Sequence, residues 1–311
     1  MERTNKVYIV GTLKDLPTDR QRTGEKDGVK WIGGTAIIES GDNEIEVKFY
    51  SLEKTQEGKA NKRYPNYVAL PQMVGQRVKV NGELTGRVFY NAGQGQITAF
   101  NEITAGFFNS AKPDDKDVAT FEYSGFVTKP LHERRNKNEE LIGYEIEIAQ
   151  ANYRQDNMQI FKFMVDPKKE KIRSAIENSY TKNTTVYVTG DIRHEVFMDE
   201  VEEEVDFGDP IVKLYRNVRK SYLITGGKRP IVEDGMAYTQ DQIQKLQSAY
   251  QDMLEDIEKE AKAENSGSNS EPATTDNNST LHSTHTLGFL KLYFKNPFLK
   301  REKKGEVNDR Y

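Results

Sequence analysis

Two short alternating segments constrain this chain more than any other feature. In Glu44–Tyr50 (EIEVKFY) apolar and polar residues alternate until Tyr50, the period of a half-buried strand. Ile45, Val47 and Phe49 face one way, and Glu44, Glu46, Lys48 and Tyr50 the other. A second copy stands at Gln159–Met164 (QIFKFM), where Lys162 matches Lys48 and Phe163 matches Phe49. The same elements surround each copy in the same order, so the chain reads as one small β-domain used twice.

The first round begins with Lys6–Leu13 (KVYIVGTL), which places Val7, Ile9, Gly11 and Leu13 on one face. Residues 14–28, with Pro17, Gly24 and Gly28, read as a long polar loop. Lys30–Ser40 is a second strand, joined by the turn Gly41-Asp42-Asn43 to Glu44–Tyr50 as a hairpin. Residues 51–70 read as a loop or short helix, Gln76–Leu84 as a fourth strand, and Gln94–Phe108 as a fifth beyond a Gly- and Asn-rich loop, Thr85–Gly93. After the solvated charge run Pro113–Asp117 the order repeats: Phe121–Val127, with Gly125 answering Gly11, then Leu141–Ala149 and Met158–Val165. A stretch of helical spacing at Lys168–Tyr180 follows, then Thr185–Ile192, with Gly190 for Gly82, and Val212–Thr225.

Thr239–Ala263 carries Ile243, Leu246, Tyr250, Met253, Leu254 and Ile257 at helical spacing, and Thr239 with Gln242 forms a capping-box start. Its stripe is expected to pack against a barrel or pair with another copy. The organisation read from the sequence is a first domain (1–112), a linker (113–118), a second domain (119–232), an amphipathic helix (236–264), a disordered linker rich in Ser, Asn and Thr (265–286), and a basic, aromatic tail (287–311).

Composition removes several classes of function. Cysteine is absent, which excludes disulfides, thiolate zinc sites and a cysteine nucleophile. No apolar stretch follows Met1 and none approaches the length of a membrane span, so a cytoplasmic protein is expected. There is no phosphate-binding G-x-x-x-x-G-K-[ST] loop and no Ser/His/Asp order with a glycine elbow. His132 and His194 stand alone in charged segments and read as surface residues; His282 and His285 fall in the tail. The expectation is a binder without chemistry, needing neither metal nor cofactor.

Five short strands with a helical or loop insert between the third and fourth match the small Greek-key barrel called the oligonucleotide/oligosaccharide-binding (OB) fold, which binds ligands on its second and third strands and neighbouring loops. Through KVYIVGTL, KWIGGTAII, EIEVKFY, VKVNGEL and their second copy, the chain resembles bacteriophage-type single-stranded-DNA-binding proteins with tandem OB folds. The resemblance covers Lys6 to about Thr225. It implies sequence-independent binding of single-stranded DNA during phage replication or recombination, in the host cytoplasm, with C-terminal arms that contact replication or recombination proteins. Residues 239–263 and the tail are the segments offered for such partners. The tail departs from the family pattern in being basic and aromatic instead of ending acidic.

Such binding needs cations along the backbone and rings on which bases stack. The first domain offers Lys30, Trp31, Lys48 and Tyr50, then Lys62, Arg63, Tyr64 and Tyr67, and Arg87, Phe89 and Tyr90. The second offers Tyr153, Arg154, Lys162, Arg216 and Arg219, but its second strand turns Glu145 and Glu147 outward, which would repel phosphate. The alternative is an assembly protein whose barrels hold protein partners; an oligosaccharide-binding module is a weaker third reading.

Overall fold

A computed structural model describes residues 4–136, 138–203, 211–233 and 235–267. The first half contains β1 (Asn5–Asp15), β2 (Arg22–Lys26), β3 (Val29–Ser40), β4 (Asn43–Leu52), α1 (Arg63–Val68), β5 (Arg77–Asn91) and β6 (Gln96–Ser110). β1 pairs antiparallel with both β3 and β5, β3 with β4, and β5 with β6. A parallel bridge between Lys48 of β4 and Thr104 of β6 closes the circuit. The second half repeats it with β7 (Val118–Arg135), β8 (Leu141–Ala151), β9 (Met158–Val165), α2 (Glu170–Ser179), β10 (Thr185–Glu203) and β11 (Ile211–Gly227). Here β7 pairs with β8 and β10, β8 with β9, β10 with β11, and β9 runs parallel to β11 at Met164 and Leu223. Both circuits have the strand order of the OB fold. Ile9, Leu13, Ile38, Ile45, Val47 and Phe49 fill the first interior, and Phe121, Tyr123, Ile146, Ile148, Phe161 and Phe163 the second.

Matched glycines show how deep the duplication runs. A β-carbon on Gly11 would lie 2.2 Å from the Glu39 carbonyl oxygen and 2.9 Å from Ile38 Cγ2. On Gly125 it would lie 2.2 Å from the Ala149 oxygen and 2.9 Å from Ile148 Cγ2. Gly82 and Gly190 likewise abut the carbonyls of Thr104 and Leu223, at 2.4 and 1.9 Å. Only a residue without a side chain lets backbones approach this closely where a small barrel coils.

These glycines also correct the alignment of the two halves. Ile38 corresponds to Ile148; Ile38 pairs with Ile45 and Ile148 with Phe161, so Ile45 corresponds to Phe161. Lys48 therefore corresponds to Met164, as the closing bridges independently require, and Lys162 takes the place of Glu46. The match of Lys162 to Lys48 was two residues out of register. A two-residue slip preserves alternation, so the period could not reveal it.

The halves are joined by more than a linker. β1 and β7 form an antiparallel ladder from Asn5↔Tyr123 to Val10↔Val118. The step from Gly11 to Gly125 also carries Val7 to Phe121, and these two face each other in that ladder, so a pseudo-twofold axis passes between them. The run 113–117, expected to be solvated, is pinned: Arg77 pairs with Asp117, and Lys79 with Asp115 at 2.8 Å. Residues 1–266 form one compact unit.

Two further expectations are corrected. Residues 85–91 extend β5 instead of forming a loop, and the β5–β6 ladder reaches Asn91↔Gln96. Its counterpart β10–β11 reaches Glu203↔Ile211. Each long hairpin crosses the other barrel at pseudo-symmetric positions: Gly86 N–H donates to Gln159 Oε1, and His194 N–H to Asn43 Oδ1, both at 3.3 Å. Within residues 14–28, β2 pairs with β3. Asp27 and Gly28 have φ of 53° and 72°, both left-handed as a tight hairpin turn requires.

The helix α3 (Gln240–Gly267) starts at the expected cap: Thr239 N–H donates to Gln242 Oε1 at 3.0 Å, and Gln242 N–H to Thr239 Oγ1 at 3.3 Å. It packs on the second barrel. Ile243, Leu246 and Tyr250 bury against Phe126, Ala149, Ala151 and Met158, with Val88 and Ile160 at the edge. Each fully buried apolar side chain contributes about 1.5–3 kcal/mol, so a helix marginal by itself is fixed by this contact. It runs to Gly267, into the segment read as disordered; the readings for 268–311 lie outside the described residues.

Candidate nucleic-acid interface

The outer face of β3 and β4 in the first barrel carries two rings laid across glycines. A β-carbon on Gly24 of β2 would sit 2.7–2.8 Å from three atoms of the Trp31 indole, and one on Gly33 would sit 3.0 Å from Tyr50 Cδ2. Each ring covers the gap its neighbour leaves. The centroids are 6.0 Å apart at 34°, and Tyr50 is 39% exposed. β2 pairs Arg22 with Gly33, Gly24 with Trp31 and Lys26 with Val29, so the exposed Arg22 and Lys26 share the side of the rings.

Beside the rings lies Lys48, whose Nζ donates to Thr35 Oγ1 at 2.8 Å. Partial burial holds its pKa below the ordinary lysine value, against the pull of Glu102 and Glu46. Glu102 is 7% exposed and pairs with Arg87 at 3.0 Å. Glu46 is held by Arg20 at 2.8 Å and by Lys220, which reaches across from β11. Burial would raise the Glu46 pKa, but Lys220 and Arg20 outweigh it and bring it to about 2. Glu46 and Glu102 are thus matched by cations, and Arg22 and Lys26 add positive charge at the rim of this face. Further along, Phe89 meets Phe100 edge to face at 5.5 Å, on the side of β5 that carries Arg87.

The structure gathers Trp31, Lys48, Tyr50, Arg87 and Phe89 on this surface and disperses the other candidates. Lys30 is exposed on the opposite side of β3 from Trp31. Lys62, Arg63 and Tyr64 lie at the start of α1, with Arg63 5.9 Å from the Phe107 ring. Tyr67 is corrected from groove to core: it is 1% exposed, with its hydroxyl donating to the Ala105 carbonyl at 2.7 Å. Tyr90 alternates with Phe89 and shares the side of Val88, towards the second barrel. Tyr153, 97% exposed, and Arg154 occupy the β8–β9 turn. Lys162 lies 3.8 Å from Glu145 and 3.7 Å from Glu147. Arg219 stands 3.8 Å from Glu195 and 5.5 Å from the Phe197 ring. The Arg216 side chain lies outside the described residues.

His194 is corrected too. It is 1% exposed, its Nδ1 accepts from Glu46 N–H at 3.3 Å, and it meets Tyr222 edge to face. Burial, with Lys220 adding to it, lowers its pKa to about 3. Arg20, Arg22, Lys26 and Phe100 escaped the sequence reading, whereas Lys220, read as a binding cation of the second domain, is held by Glu46 of the first. For Arg22 and Lys26 a signal existed: Asp27-Gly28 between two polar-apolar runs is a hairpin signature.

Among the described residues no group of three or more His, Cys, Asp or Glu side chains could hold a metal ion, and no helix is long and apolar enough to cross a membrane.

The YorF family model matches residues 3–260. Among solved structures, the wild-type single-stranded DNA binding protein from Thermus aquaticus shares 13% identity over 76% of this chain and 98% of that one, with a TM-score of 0.46. A deletion mutant of that protein gives 12% identity, coverage of 76% and 99%, and a TM-score of 0.45. No curated protein matches the chain.

Proposed function

The chain belongs to the YorF family, and from the surface described above we propose that it binds single-stranded DNA without reading its sequence. One observation carries this reading: Trp31 and Tyr50 form a shallow aromatic floor, with Lys48, Arg22 and Lys26 beside it. Every base has a π-face, so stacking on such rings tolerates any sequence, while the cations track the phosphates and make affinity salt-dependent. Arg87 and Phe89 continue the same surface along the β5–β6 hairpin. The strand order resembles that of phage single-strand binders. The setting we infer is phage DNA replication or recombination in a bacterial cytoplasm, with the protein acting as a binder and not as an enzyme.

The test is titration with oligo-dT while following Trp31, the only tryptophan, by fluorescence. Quenching that weakens as salt rises supports the reading; unchanged emission and anisotropy at low salt would remove it. A second reading, docking of a protein partner, is favoured by one observation. On the β10–β11 hairpin Val196, Met198, Val212 and Leu214 are 38–59% exposed and alternate onto one side.

A further inference from the structure

The single-strand reading leaves open whether one barrel or both hold the strand. The register correction settles which positions to compare. Where the first barrel has Thr35 beside Lys48, the second has Glu145 beside Met164. Counting along the same strands, Trp31 falls at Leu141, Ile37 at Glu147 and Tyr50 at Asp166. Both rings and the lysine beside them are gone, replaced by Leu141, Asp166 and Met164, and carboxylates stand where the first barrel has Thr35 and Ile37. Glu145 is 6% exposed and is held by Arg134 at 3.1 Å, with His132 and Lys162 each 3.8 Å away. Arg134 and Lys162 are thus turned towards a buried acid.

The rest of the second barrel's outer face is sealed. α3 covers Ala149, Ala151, Met158 and Ile160, and Tyr250 lies close enough to Glu147 for that carboxylate to help burial raise its pKa. Val88 of the crossing β5–β6 hairpin closes the edge. At the corresponding places the first barrel has Glu39, Gly41, Asp42 and Glu44, which carry no apolar stripe for a helix. The covered surface is apolar, so exposing it would cost burial energy and would offer phosphates nothing.

We infer that each chain holds one single-stranded footprint, confined to the first barrel, and that α3 is a permanent cover on the second barrel and not a displaceable lid. This rests on the single-strand reading above. One OB barrel spans about 4–16 nucleotides. The experiment is native mass spectrometry and labelled-oligonucleotide anisotropy on the full chain with oligo-dT of about 8 nucleotides. The expected result is one oligonucleotide per chain. The surface variant Tyr153→Ala/Arg154→Ala/Lys162→Ala should keep its affinity within about twofold, while Trp31→Ala/Tyr50→Ala should lose about tenfold or more. Amide exchange in α3 should be unchanged by the oligonucleotide. Two oligonucleotides per chain, a loss of affinity in the second-barrel variant matching that of the first, or faster α3 exchange on binding would each overturn the inference and leave the single-strand reading standing. No binding to the unaltered chain would instead remove that reading, and this inference with it.

Discussion

The two barrels share a backbone and differ in what they do with one face. In the first, the outer side of the second and third barrel strands carries rings over glycines and cations at hand. In the second, the same side carries a buried carboxylate and an apolar strip under α3. The pairing pattern is common to both, down to matched glycines and hairpins that cross at equivalent residues. The lesson is that a duplicated fold can keep its backbone constraints while each copy's exposed face specialises. Interior and close-approach positions answer to the barrel's geometry, whereas outward positions answer only to what lies on top of them.

The sharpest way to break this comparison is at the glycines. Gly11→Ala and Gly125→Ala each force a β-carbon into a carbonyl oxygen, and each should cost about 3–5 kcal/mol or prevent folding. Denaturant unfolding of the two variants should give similar losses; a cheap substitution in one barrel alone would show that the matched contacts are not energetically equivalent. The next effect belongs to the second barrel only. Leu246→Ala should destabilise by about 3 kcal/mol, measured by urea unfolding, with DNA affinity unchanged.

A pH effect separates the crossing hairpins. His194 stands where the first hairpin has Gly86. Its folded pKa of about 3 lies below the ordinary 6.5, so the unfolded chain takes up a proton that the folded chain refuses. Stability is full above pH 6.5 and declines as pH falls towards 3, by about 2 kcal/mol at pH 5. Glu46, held at about 2 against 4.5, adds a second decline between those values. His194→Gln should flatten the slope between pH 7 and 5 in urea melts, and an unaltered slope would show that another group is responsible.

For binding, Trp31→Ala should weaken oligo-dT affinity roughly tenfold, about 1.4 kcal/mol, whereas Leu141→Ala at the matching position should leave it unchanged. Equal losses in anisotropy titrations would erase the distinction between the faces. The smallest effect is expected of Tyr153→Ala. At 97% exposure its removal should alter stability by no more than about 0.5 kcal/mol, read by thermal melts.

Alternation, turn residues and the repeated order determined a good deal from the sequence alone. They marked every strand but β2, the repeated five-strand order, the helix with its Thr239–Gln242 cap, and the outward phase of Trp31, Lys48 and Tyr50. These are local properties, written in periods of two and 3.6 residues. Tertiary structure decided the rest. The two-residue register between the halves, the burial of Tyr67 and His194, the extension of β5 through Thr85–Asn91, and the seating of α3 all depend on partners distant in the chain. A local period carries phase but no register and no partner, so contacts between residues far apart in the chain chose which face stayed open.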